Sequence, residues 1–191
     1  MEEAKKWIEA ELEPFRYRHS LRVMEAAGEL AQRHGLDGER TMLAALLHDC
    51  ARGRENAELL ALAGEYGLSL REVDRESPVL LHGRVGAELA RLELGIDNRE
   101  VLDAIRTHTA GHPEMDPTGK AVFLADLIEP RRPFPHREAL EAAAFDDLDR
   151  ALLMGLEGNL GHCRRRGLTI DPDSLALREM LLAELKSRDS C

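Results

Sequence analysis

Leucine and alanine recur along this chain at the three- and four-residue spacing of a helix face, while valine, isoleucine and the aromatics are sparse. The pattern and its punctuation predict helices throughout. A short helix over 2–13 closes at Pro14, and a second over 16–34 ends at Gly35. Asp37 caps a third that runs to about Ala51, and a fourth over 55–66 stops at Gly67. Ser69 caps a short helix before Pro78, and another covers about 78–94 before Gly95. Asp97 caps the next, which runs to about Thr109, and 117–129 begins at Pro117, a good first-turn residue. The proline-rich 130–136 reads as a loop, 137–166 as a long helix bent near Gly155 or Gly158, and 174–187 as the last helix. Leu168-Thr169-Ile170 reads as extended loop, and no segment alternates as a strand does. The expected fold class is therefore an all-α helical bundle. Its 191 residues suit a single domain over 1–191, with a core about 16–130 and helices over 137–187 packed on it.

Charge narrows the partners. A formal net charge of −10 argues against non-specific nucleic-acid binding, and a polyanionic ligand would need a local arginine or lysine patch or a metal. Three cysteines without CxxC spacing argue against a disulfide framework. The N-terminus carries no signal-peptide pattern, and no apolar run reaches membrane-spanning length, so no membrane partner and a cytoplasmic location are expected. Oligomeric state, a homodimer included, is left open.

The candidate chemistry lies in polar residues on apolar stripes. His48 and Asp49 close the apolar run AALLHDCA. His19 shares a stripe with Val23, Ala26, Ala27 and Leu30, and His82 lies in line with Val79, Val85 and Leu89. His108 follows Val101, Ala104 and Ile105, and Asp126 follows Val122 and Phe123. Burying carboxylates and imidazoles is costly without partners, and a divalent cation is one such partner. A helical bundle can converge such groups on one interior point. Each histidine alone reads as a satisfied core histidine, so spacing leaves both readings open. The mixed His and carboxylate set suits iron, manganese, cobalt or zinc rather than magnesium or calcium, as one ion or two. Phosphoryl transfer at such a site needs charge stabilisation and an in-line nucleophile, here a metal-bound water held by Asp49.

The order His19, His48-Asp49, Asp126 resembles the H…HD…D series of the HD-domain phosphohydrolases. The longer series RYRHSLRV, AALLHDCAR, LLHGRVGAELA, AIRTHTAG and LADLIEPRRPFP is similar to the YqeK-type family, the symmetrical bis(5′-nucleosyl)-tetraphosphatases. The resemblance runs from about Arg16 into the C-terminal helix. It implies an HD-domain bundle that hydrolyses diadenosine tetraphosphate to two ADP, with His19, His48, Asp49 and Asp126 as iron ligands. It implies that His82 and His108 face the substrate phosphates or hold a second metal. It assigns Arg132 and Thr109 to the nucleotide, together with the late loop Thr169, Ile170, Asp171, Pro172, Asp173 and Ser174. The family often carries histidine before that proline, where this chain has Asp171. Two alternatives accompany this reading: a phosphohydrolase acting on a nucleoside monophosphate, deoxynucleoside triphosphate or cyclic nucleotide, and a non-catalytic nucleotide-binding module.

Overall fold

In the computed structural model, which describes residues 1–190, the regular structure is helical, with no strand among the described residues. Cys191 lies outside them. In chain order the helices are α1 (Glu2–Glu11), α2 (Pro14–His34), α3 (Gly38–Leu47), α4 (Asn56–Glu65), α5 (Glu72–Glu76), α6 (His82–Leu94), α7 (Arg99–Thr107), α8 (Pro117–Ile128), α9 (Arg137–Asp146), α10 (Leu148–Arg166) and α11 (Pro172–Asp189). A 3₁₀ turn, Pro78–Leu81, joins α5 to α6. No helix is long and apolar enough to cross a membrane.

The centre of the bundle is α8. Nine of its residues are buried, and α2, α3, α7, α9 and α10 all pack on it. A helix that is apolar on every side belongs in a core, and Phe123 on α8 is the bulkiest fully buried side chain. The α2–α3 pair forms the second wall, and α6 with α7 the third. The carboxyl ends of α3 and α7 stop at His48 and His108, and α6 begins at His82. Three of the candidate residues therefore sit at helix ends, and Asp126 sits inside α8.

Several boundaries differ from the sequence expectation, each for a local reason. Pro14 starts α2 at its first turn instead of merely closing α1. The stretch 78–94 is a 3₁₀ turn followed by α6. The expected 137–166 helix is two helices, and the break is at Asp147, not at the glycines. Asp147 is extended and its carboxylate accepts from Asp149 N and Arg150 N, an N-cap that starts α10 afresh. Gly155 and Gly158 lie within α10, where a β-carbon would collide with Leu127 and Phe134; they serve packing, not bending. Ser69 and Asp97 do not cap their helices. Arg71 and Asn98 hold those positions, and Asn98 accepts from Val101 N at 3.1 Å. Asp37 caps α3 as expected, accepting from Arg40 N at 3.0 Å. The last helix starts at Pro172, with Asp171 as its cap.

One close approach sets the distance between two walls of the site. A β-carbon at Gly83 would lie 2.9 Å from Arg106 O and 3.0 Å from Ile105 O, so only glycine lets α6 ride directly on the end of α7. This contact brings His82 beside His108. Replacing Gly83 with alanine should push α6 off α7 at a cost of about 1–3 kcal/mol. Thermal unfolding of the variant checks this: its melting temperature should fall below that of the parent protein.

Candidate metal centre

Three of the histidines are aimed in the same way. His48 Nδ1 lies 2.7 Å from Ala45 O, His82 Nδ1 2.6 Å from Val79 O, and His108 Nδ1 2.7 Å from Ile105 O. In each case the ring N–H donates to the carbonyl three residues back. That bond fixes the tautomer and leaves the Nε2 lone pair pointing into the site. The carboxyl ends of α3 and α7 also direct their negative dipole ends at the same place, which favours a cation there.

The three Nε2 atoms surround the Asp49 carboxylate. Asp49 Oδ1 is 3.2 Å from His82 Nε2 and 3.5 Å from His108 Nε2, and Oδ2 is 3.7 Å from His48 Nε2. His82 Nε2 and His108 Nε2 are 3.1 Å apart, and Thr109 Oγ1 lies 3.0 Å from each. Two lone pairs at that distance repel unless a proton or cation lies between them. On the other side of His48, Asp126 Oδ1 is 3.0 Å from His19 Nε2 and 3.9 Å from His48 Nε2. The ring centroids of His19 and His48 are 5.3 Å apart, and those of His48 and His108 4.9 Å apart. The result is a row, His19–His48–His108, with Asp126 serving one end and Asp49 the other. Two overlapping sets, His19/His48/Asp126 and His48/Asp49/His108, can each surround one ion.

The donor set fits a divalent metal. His19 Nε2 and His48 Nε2 are buried and have no hydrogen-bond partner. His19 Nε2 and Asp126 Oδ1 are close but out of hydrogen-bonding alignment, a spacing that bonds of about 2.1 Å at right angles to one ion would produce. Orphaned buried nitrogens are costly, and a cation between them removes the cost.

Electrostatics holds His48, His82, Asp49 and Asp126 in the protonation states a metal needs. Burial drives the His48 pKa down to about 4, so its ring is neutral. Burial also lowers that of His82. Burial pushes Asp126 upward, but the His19 contact and the Arg132 charge outweigh it and bring the carboxyl to about 2. For Asp49 burial is likewise outweighed, by His48, His108 and His82, and the carboxyl stays well below its ordinary range. Cys50, next in the chain, is pushed up to about 12 by burial and touches Gly86 O through its thiol. It is a packed thiol, not a thiolate ligand.

His19 is the exception among the four, and it exposes a residue that the sequence reading passed over. Its Nδ1 faces Glu129 Oε1 at 3.2 Å instead of a carbonyl. Glu129 is almost fully buried. It accepts from Arg22 Nε at 2.6 Å and from Arg131 N at 2.9 Å. This carboxylate–histidine pair orients His19 as the carbonyls orient the others. The available signal was its place three residues after Asp126 in ADLIEP, one turn along α8.

Arg132 NH1 donates to Asp126 Oδ1 at 2.7 Å, which brings that arginine into the site. An open cleft of about 480 Å³ lies over the histidine row, with Arg132 and Thr109 in its wall. The late loop is not in this wall. Asp171 and Asp173 border an adjoining recess of about 270 Å³ that shares Thr109 and Leu80 with the cleft. Asp171 is buried and engaged: Arg71 donates to both its oxygens, at 3.1 and 2.8 Å, and to Asp173 at 2.6 Å. Ser174 Oγ donates to Ala110 O at 2.7 Å, so the loop is fastened to the turn that follows His108. Thr169, Ile170 and Pro172 border neither cavity.

An all-α bundle with a buried His/Asp cluster at converging helix ends defines a divalent-metal hydrolase of the HD class, and residues 16–131 match the family model of the HD domain. A Halalkalibacterium halodurans protein named bis(5′-nucleosyl)-tetraphosphatase, symmetrical, is 38% identical over 94% of this chain and 95% of its own length. A Bacillus subtilis protein of the same name is 33% identical over 95% of this chain and 97% of its own. A crystal structure from Clostridium acetobutylicum, described as a predicted HD superfamily hydrolase involved in NAD metabolism, matches with a TM-score of 0.92 at 33% identity, covering 96% of this chain and 97% of that one. The chain belongs to the HD-domain family of symmetrical bis(5′-nucleosyl)-tetraphosphatases.

Two outcomes are expected at this centre. Glu129→Gln, which keeps the shape but removes the charge facing His19, should weaken divalent-metal affinity about 10- to 100-fold, measured by competition with a chromophoric chelator. In chelator-treated protein, His48 is neutral when folded and protonates more readily when unfolded. Its stabilising contribution is full above its unfolded pKa of about 6.5 and is lost as pH falls through about 4. The melting temperature should therefore drop across that window, and less steeply in His48→Asn. His19 acts in the opposite sense. Burial lowers its pKa, but Asp126 and Glu129 raise it further, so its contribution fades as pH rises above 6.5.

Proposed function

We propose that His19, His48, Asp49 and Asp126 hold the metal of a hydrolase that cleaves diadenosine tetraphosphate symmetrically to two ADP. The observation that carries this is the pair of buried, partnerless Nε2 atoms of His19 and His48, flanked by two ionised carboxylates. Iron is the ion the family resemblance implies, with manganese, cobalt or zinc as chemical alternatives. When bound, a divalent ion polarises a phosphoryl oxygen and acidifies water.

The chain's own residues supply the rest. Asp49, within 3.2 and 3.5 Å of His82 and His108 through Oδ1, forms with them a carboxylate–imidazole group that can take up the proton of the attacking water. The same two histidines are the candidates for a second ion or for direct contact with phosphate oxygens. Arg132, tied to Asp126 and partly exposed to the cleft, is placed to neutralise a phosphate with its remaining N–H groups. ADP leaves as a stable anion and calls for no strong acid. One nucleoside half of the substrate enters the recess beyond Thr109, beside the 169–174 loop. There Arg71, together with Arg84 on Asp74, offsets much of the charge of Asp74, Asp171 and Asp173, which would otherwise repel a phosphate. In this reading Asp171 shapes the recess and is not itself a ligand of the nucleotide.

The rival of a non-catalytic nucleotide-binding module is disfavoured by a complete and converging ligand set. Chromatography of products from diadenosine tetraphosphate should show ADP as the sole product, lost in the His48→Ala, Asp49→Ala double variant. ATP with AMP would overturn symmetrical cleavage. No turnover with iron, manganese or cobalt supplied would sink the activity and turn attention to other nucleotides.

A further inference from the structure

The histidine row has two ends, and only one leads to the recess beside Thr109. At the other end, beyond His19, stands Phe15. It is the sole aromatic among the exposed large hydrophobic residues, at 59% relative exposure, and it lines the cleft. It lies four residues before His19 on α2, so the two share a helix face, about 6 Å apart along the axis. The Arg16 guanidinium lies 5.0 Å from its ring centroid. Arg18 and Arg52 line the same cleft, and neither makes an ion pair among the described residues. In a chain of net charge −10, where most arginines face a carboxylate, uncommitted arginines at a cleft mark a place for phosphate.

A substrate with a purine nucleoside at each end of four phosphates, cut at its middle, must extend in both directions from the metal centre. Resting on the activity proposed above, we infer that Phe15 is the stacking platform for the second adenine, and that Arg18, on the same face of α2, contacts the phosphates leading to it. The two halves of the substrate are thus received differently, one in a recess and one on an exposed ring. An exposed aromatic face accepts any purine, so this end confers affinity for a base without strict selection of which base.

The test compares two substrates with the same phosphate chain: diadenosine tetraphosphate, with two bases, and adenosine 5′-tetraphosphate, with one. Phe15→Ala should lower the ratio of kcat/KM for the two-base over the one-base compound about tenfold. The loss should appear as a raised KM for diadenosine tetraphosphate, and Phe15→Trp should restore the ratio. Melting temperatures of both variants should stay near that of the parent, because the ring is exposed. An unchanged ratio in Phe15→Ala, or equal loss on both compounds, would overturn the subsite. Failure of the parent protein to release ADP from diadenosine tetraphosphate would instead overturn the activity on which the subsite rests, and the subsite with it.

Discussion

The constraint on which the structure depends is the placement of Asp126 in a central helix whose last two turns are otherwise apolar. A carboxylate there loses its hydration and must be repaid by other charge. Arg132 reaches it from the rim and His19 from α2, yet the Nε2 atoms of His19 and His48 still lack hydrogens to share. Protein groups alone leave these nitrogens unpartnered; a divalent ion among Asp126, His19 and His48 would partner them. The walls of α2, α3 and α7 are packed against α8 so that they meet at this point. The helical core is therefore the scaffold for a charge that it could not otherwise tolerate.

The side chains around that charge are aimed by the backbone. Three imidazoles each give their Nδ1 hydrogen to the carbonyl three residues back, a bond available because His48 and His108 stand where helices end and His82 follows a 3₁₀ turn. Such local bonds make the tautomer a property of secondary structure. His19, inside a long helix, has no such carbonyl available, since those of α2 are occupied by the helix itself. Its tautomer is set instead from across the bundle by Glu129, which Arg22 in turn secures. This difference explains why His19 needs an ionic support and the other three histidines do not.

These two modes of support also explain what could be read in the sequence. Helical class, most helix positions, the caps at Asp37 and Gly35, and the inward stripe positions of the six histidine and aspartate groups follow from periodicity and turn chemistry, which are local. The convergence of those groups required the whole motif series, because spacing alone leaves core histidines as an equal reading. Glu129 has no local signature, because a glutamate before a proline looks like an ordinary helix end and its partner Arg22 lies 107 residues earlier. The Arg71–Asp171 pairing, across 100 residues, has no local trace either. The division of 137–166 at Asp147 is local yet hidden: glycines read as the breakers, while a capping aspartate inside a helical pattern reads as another surface charge.

The acidic chain and its polyanionic ligand are reconciled by how arginines are distributed. Away from the cleft, guanidinium groups are largely matched by neighbouring carboxylates: Arg71 with Asp74 and Asp171, Arg84 with Asp74, Arg137 with Glu141, Arg178 with Glu157. Such pairs contribute little field at a distance. At the cleft, Arg18 and Arg52 make no ion pair among the described residues, although the net charge is −10. Within a low-dielectric concavity such charges act more strongly than they would on an open surface. In the proposed arrangement the buried carboxylates would hold the ion, and the ion and the arginines would together attract the phosphate chain.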